Sequence, residues 1–462
     1  MEQAVRKACD DAGLDGPPQA DAVRVVSVVG WRYRNAPRFL AARLGIVGAA
    51  LGESTDGGNS PQSLVNQTCL DIVAGDVEVA ILSGAEAFRS YMRARKEGIT
   101  LDWPKAANDD RPTRIGEALT MNLQAEKDLG IVEPVQIYPM FETALRAAAG
   151  RTVDEHQAYL GKLWSDLSHV AAGNPNAWNQ EPKSAEEIVT VGPKNRMIGF
   201  PYPKMMNSNS DVDQGAALIM CSVEAARRLG IDEDRWVFPQ AGTDCHEHNY
   251  VSNRDTFART PAIELGGQRA LSLAGKHIDE IELLDLYSCF PAAVQLGAQS
   301  LGVNLMERQW SRTGGLPFAG GPWNNYPMHA IATIVGELRE QRDASALVWA
   351  NGGYATKHSF GIYATAPPAN GYAYEHPQDE IDALPKRELA DLADAAGPAE
   401  IEAYSVMFSR EGEPNRAIAS CLLADGRRAW GTSSDPTIAS AMCDGEWVGL
   451  SVTLGDAGDL RV

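Results

Sequence analysis

One arrangement occurs twice in this chain, and it constrains the fold more than any other feature. Residues 57–88 (GGNSPQSLVNQTCLDIVAGDVEVAILSGAEAF) run from a glycine-rich turn through Asn-x-Pro and a helix to a short apolar strand and a Ser-Gly turn. Residues 313–361 repeat this order, with a helix predicted over Tyr326 to Glu340 and a strand over Ser345 to Ala350. Asn59-Ser60-Pro61 matches Asn325-Tyr326-Pro327, and Val77 to Leu82 matches Ser345 to Ala350. A helix, a turn and an apolar strand precede each copy, at 2–28 and 266–288. Proline pre-sets φ for a first helical turn, which explains its place at both helix starts. The repeat predicts a duplicated α/β domain with pseudo-two-fold symmetry. Strands separated by helices imply parallel sheets covered on both faces.

The rest of the chain sorts around these halves. The first half is expected over 1–105 and 201–235, with a helical insertion over 106–200 that carries helices near Val135 to Ala149 and Val153 to Val170 and shows no strand alternation. Asp211, Asp213 and Gln214 precede a buried strand, Ala216 to Cys221. The second half is expected over 236–373 and an acidic, Pro-marked linker over 374–399. Residues 400–462 alternate apolar and polar side chains around an Asp425-Gly426 hairpin signal, which predicts a small five-stranded all-β domain.

A formal net charge of −20 argues against a nucleic-acid or anionic-membrane partner, either of which wants a basic face. No apolar run approaches the length of a membrane span, and the chain opens in a charged amphipathic helix with no visible signal peptide. Seven scattered cysteines, an odd number without Cys-x-x-Cys, suggest reduced thiols in the cytoplasm and neither a disulfide frame nor a metal site.

Three motifs stand at corresponding strand ends of the second half: Asp285 to Phe290 (DLYSCF), Ala319 to Pro322 (AGGP) and Lys357 to Gly361 (KHSFG). With the duplicated halves and the insertion, they make residues 1–373 resemble a thiolase. DLYSCF and the segment NSNSDVDQGAALIMCSVEAARRLG (207–230) resemble the sterol-carrier-protein branch. The all-β tail is similar to that of the actinobacterial thiolase-like protein type 1 group, whose additional C-terminal domain is OB-like. The resemblance implies a five-layer α-β-α-β-α fold, coenzyme A or an acyl-CoA as a ligand that is not tightly bound, and an acetyl-CoA acetyltransferase by similarity. It also leans toward a monomer, with a dimer as the alternative. Packing of the tail on an open edge near the short strand Val77 to Leu82 is the expected block to pairing.

The departures are specific. The family's nucleophilic Cys belongs at 58–60, where this chain has Gly58, Asn59 and Ser60. The His of its Gly-His-Pro is Gly321, another family His is Tyr287, and Ser359-Phe360-Gly361 stands where its Cys-x-Gly is expected. Cys69 lies inside a helix, and Cys289 is a candidate acid/base that burial in a helix start would silence. The family's first strand has no counterpart before the first helix. The expected alternatives are a start that lies upstream of Met1 and a first sheet lacking a central strand.

His358, beside Tyr354 and Ser359, is a candidate general base or a hydrogen-bonding loop residue. Tyr287 and Tyr354 are candidate donors to an enolate, or aromatic walls filling vacated space. Asn325 and Asn351 would place amides at a thioester oxygen, or cap loops. Ser60 has no assignable base, and His246 and His248 share a strand face without an evident ligand set. The resemblance places the phosphates of coenzyme A near Lys194, Arg196 and Lys204, whose other reading is solvated surface. No thiolase nucleophile–base pair survives, so two functions stand: an acyl-CoA-binding protein with a degenerate acyltransferase site, and a non-catalytic scaffold whose tail recruits a partner.

Overall fold

The computed structural model describes residues 1–392 and 394–462. Two five-stranded sheets sandwich a central pair of helices, Ser60–Ala74 and Tyr326–Glu340. Both helices start on the Asn-x-Pro step, where proline's missing N–H costs nothing in the first turn. Leu64, Val65 and Cys69 of one meet Met328, Ile331 and Ile334 of the other between the two sheets, in a cluster that also takes in Leu82 and Val348. Each such Leu, Ile or Val contributes about 2 kcal/mol by leaving water. Glu2–Ala12 and Ala36–Leu44 cover the outer face of the first sheet, and Pro261–Leu273 and Pro291–Leu301 that of the second. This is the expected five-layer α-β-α-β-α stack.

The first sheet runs, in spatial order, Thr113–Ile115, Ala50–Ser54, Ala22–Val25, Val79–Ala87, Asp213–Cys221, with the last strand antiparallel. The second runs Leu283–Leu286, Ser345–Gly352, Lys357–Ala364, Phe238–His246, Ala373–Glu375. Superposing the two orders corrects the expectation of a vacant central strand. The first sheet is continuous, and the strand without a counterpart belongs outside Asp213–Cys221, at an edge. Val79–Ala87 is also no short edge strand: it spans nine residues and is paired on both sides.

The insertion holds Pro134–Ala148 and Val153–Gly173, the latter started by a capping box in which the Thr152 hydroxyl accepts from Glu155 N at 3.2 Å. It is not wholly helical. Thr113–Ile115 extends the first sheet, and Met197–Phe200 joins the C-terminal sheet. The C-terminal strands are Gly397–Phe408, Pro414–Leu422, Arg428–Ser433, Ser451–Leu454 and Leu460–Arg461. A parallel bridge between Thr432 and Asp459 brings two of them together, so the antiparallel sheet curls toward closure. Ala393, inside the expected linker, lies outside the described residues.

The C-terminal sheet packs on Pro134–Ala148 and on the 251–254 loop, a different place from the one expected. The Arg146 guanidinium, buried, donates to Glu446 at 3.0 Å and to the Tyr404 hydroxyl at 2.7 Å. Arg428, also buried, donates to the carbonyls of Val251 (3.1 Å), Ser252 (2.9 Å) and Arg254, and pairs with Glu402. Trp430 Nε1 donates to the Ser252 hydroxyl at 2.9 Å.

Candidate functional site

The turn before Ser60–Ala74 points at the ends of Leu283–Leu286 and Ser345–Gly352 from across the central layer. Its backbone is tied down on all sides. Gly57 N donates to Asn324 Oδ1 at 3.0 Å, Lys357 Nζ donates to the Asp56 carbonyl, and the Ser60 hydroxyl donates to the Thr55 carbonyl at 2.7 Å. At Gly58 there is no room for a side chain. A Cβ there would sit 2.2 Å from the Tyr287 hydroxyl oxygen and 2.4 Å from the Asn351 carbonyl oxygen. The same holds at Gly321, where a Cβ would sit 2.2 Å from the Ser208 hydroxyl oxygen.

Around Gly58 the structure gathers Tyr287, Cys289 and Asn351 from the expected set. It adds Tyr138 from the insertion, which the sequence reading missed. The Asn351 amide donates to the Tyr138 hydroxyl at 2.9 Å, and that hydroxyl donates to the Gly353 carbonyl at 3.1 Å. The Tyr138 ring stacks on Phe290 at 4.5 Å, and Tyr287 meets Tyr326 edge-on at 5.6 Å. Burial pushes the Cys289 thiol up to about 12, so it stays protonated and is a poor nucleophile at neutral pH. Behind this wall lies Asp285, also missed. It accepts from Arg312 N at 2.8 Å and from the Ser311 and Tyr326 hydroxyls at 3.1 Å, yet burial outweighs these bonds and lifts its carboxyl to about 6. An acid flanked by leucines at a strand end was the signal that could have marked it.

The remaining candidates lie elsewhere. On Lys357–Ala364, Ser359 faces Asp244 and hydrogen-bonds its carboxylate. His358 points to the other face, as strand alternation requires. There its Nδ1 accepts from Trp349 Nε1 at 3.3 Å, and burial holds its protonation well below the ordinary range. It is a neutral core histidine. The Tyr354 hydroxyl bonds Val132 and Asn122 under the insertion. Asn325 is buried with both amide atoms unpartnered. His246 lies against the Glu247 carbonyl, while His248 Nε2 lies 3.3 Å from the Pro385 carbonyl. Cys69 is core, its thiol raised by burial. Lys194 and Lys204 are exposed and Arg196 half-buried; Lys204 N donates to the Arg196 carbonyl at 2.9 Å, which brings two of the three cations together at one hairpin.

Residues 377–459 match the family model for the thiolase-like protein type 1 additional C-terminal domain. A monomeric SCP2-thiolase-like protein type 1 from Mycobacterium smegmatis, of known crystal structure, is 32% identical to this chain, with a TM-score of 0.81 over 96% of this chain and 89% of that one. The chain belongs to the SCP2-thiolase-like protein type 1 family. The fold of this type 1 protein is also that of more distant thiolases. An acetyl-CoA acetyltransferase from Syntrophomonas wolfei is 14% identical (TM-score 0.54, 79% of this chain and 92% of that one). The human mitochondrial 3-ketoacyl-CoA thiolase, solved with CoA, is 17% identical (TM-score 0.53, 79% and 91%). No curated protein matches the chain. Among the described residues no helix is long and apolar enough to cross a membrane.

Proposed function

We propose that this type 1 protein is a monomeric, cytoplasmic binder of coenzyme A or an acyl-CoA thioester that performs neither Claisen condensation nor thiolysis. The observation that carries the reading is the turn at residues 58–60, where the family's nucleophilic Cys is expected: Asn59 and Ser60 stand there instead, and at Gly58 a Cβ would lie 2.2 Å from the Tyr287 hydroxyl oxygen. A thiolase cycle needs an acylated side chain there and a base beside it. Ser208 fills the place of the activating base at Gly321, and Cys289 is protonated. Ligand binding is supported by the human thiolase solved with CoA and by the cations of the Lys194–Lys204 stretch. The Mycobacterium relative supports the monomer. The C-terminal sheet, which we read as an OB-like barrel, buries Arg146 and Arg428 against the core and so serves as structure before it serves any partner.

Calorimetry with coenzyme A, acetyl-CoA and longer acyl-CoAs on the intact chain tests binding, and a thiolysis assay with acetoacetyl-CoA tests turnover. The reading requires heat of binding for at least one thioester and no turnover above background. Turnover lost in Ser60→Ala or Cys289→Ala, or no binding of any of these ligands, refutes it.

A further inference from the structure

The turn before Ser60–Ala74 borders a second space, of about 150 Å³, which Tyr287 and Cys289 do not line. Asn59 and Ser63 form one wall, residues 115–119 a second, and the ends of Phe238–His246 and Lys357–Ala364 a third. Lys357 lines it and is only 6% exposed. The architecture does not call for a lysine there. Lys357 sits opposite Gly352, and at the matching place of the first sheet, opposite Gly84, stands Ala216.

Buried lysines are rare and normally paired. Lys357 Nζ donates to the Asp56 carbonyl and forms no ion pair among the described residues. The nearby acids are engaged elsewhere. The Asp56 carboxylate accepts from the Ser27 hydroxyl at 2.7 Å, and Asp244 accepts from Ser359 and from the Asn66 amide at 2.9 Å. Glu117, 63% exposed, stands at the rim in water. The ammonium thus keeps two N–H donors without a counter-anion, and burial lowers its pKa. Beside it Asn59 Oδ1 is buried with no donor. Both atoms close on Gly57, where a Cβ would lie 2.7 Å from Nζ and 2.4 Å from Oδ1. One small space therefore holds an ammonium short of an anion and an amide oxygen short of a donor.

We propose that this cavity binds a small 2-hydroxycarboxylate, its carboxylate on the Lys357 ammonium and its hydroxyl donating to Asn59 Oδ1. A plain carboxylate would leave the amide oxygen facing an anion, and an alcohol would leave the ammonium unpaired. A phosphate dianion calls for more than the one cation present. At about 30 Å³ per water the cavity holds about five waters. Glycolate and lactate are of that size, and the pantetheine arm of coenzyme A is far larger, so this site is separate from the one proposed above.

The test is saturation-transfer NMR on the intact chain, titrated with racemic lactate and, separately, with propionate, which differs only by the missing hydroxyl. Lactate is expected to give a saturable signal and propionate to bind at least tenfold more weakly. Lys357→Met keeps the stem, removes the charge and should weaken lactate at least tenfold. Asn59→Ala should bring lactate down to the affinity of propionate. Thermal unfolding checks that both variants fold; if Lys357→Met does not, the native chain and Asn59→Ala decide. No saturable lactate signal from the native chain overturns the proposal, as does propionate binding as well as lactate. A folded Lys357→Met that binds lactate as the native chain does overturns it too. Inorganic phosphate that displaces lactate at equal concentration marks a plain anion site and likewise refutes it.

Discussion

Tyr287 and Gly58 share one volume: the tyrosine hydroxyl lies 2.2 Å from the place of a residue-58 Cβ. Inserting Gly58→Cys therefore overpacks the site. We expect a loss of about 1–3 kcal/mol in urea unfolding, with no gain of thiolysis. Tyr287→Ala opens the same volume, so in that background Gly58→Cys should cost clearly less than it does alone. Additive costs in the double-mutant cycle would show that the two side chains do not exclude each other.

Asp285 gives the fold a pH dependence of known sign. Its folded pKa, raised to about 6 by burial, lies above the unfolded carboxyl value. The folded state thus holds a proton that the unfolded state has released, and stability falls as pH rises from about 4 to about 6. A shift of about two units corresponds to about 3 kcal/mol. Asp285→Asn should flatten that part of the profile. Thermal unfolding of both proteins from pH 4 to pH 8 checks it, and parallel profiles would reject the assignment.

Coenzyme A binding should weaken with salt. Three solvent-screened contacts from Lys194, Arg196 and Lys204, at about 0.5 kcal/mol each, amount to roughly a tenfold difference in affinity. The triple Ala variant should bind about tenfold more weakly at low salt and lose most of its salt dependence. A variant that binds as the native chain does would move the phosphate site elsewhere.

Arg428 should be the costliest single truncation in the C-terminal sheet. Arg428→Ala leaves Glu402 without its buried partner and strips three loop carbonyls of their donor. A loss of about 3–5 kcal/mol is expected in chemical denaturation. A loss below 1 kcal/mol would mean that water or relaxation replaces these bonds.

Much of the fold was legible because it repeats. The helix over Tyr326–Glu340 has the bounds its apolar spacing and Pro327 suggest. What escaped was order across the sheet, because a sequence orders strands along the chain only. That is how an edge position came to be read as central. Thr113–Ile115 and Met197–Phe200 escaped because three or four residues carry no usable period, and the second pairs with Val406 and Met407, some two hundred residues away. At the site, the residue types around Gly58 could be read as departures from a pattern. That Tyr287 fills the vacancy could not, since it depends on how two halves face each other. His358 was misplaced for a simpler reason: one residue of strand alternation separates the central face from the outer core.

The strand Met197–Phe200 belongs by sequence to the insertion and by hydrogen bonding to the C-terminal sheet, through Phe200 opposite Val406 and Gly199 opposite Met407. The tail is therefore not a detachable appendage. Cutting the chain near Pro377 would strip a pairing partner from a segment more than a hundred and seventy residues earlier and bare the face around Arg146. A shortened chain that clumps would report that wound, and nothing about how the native molecule associates.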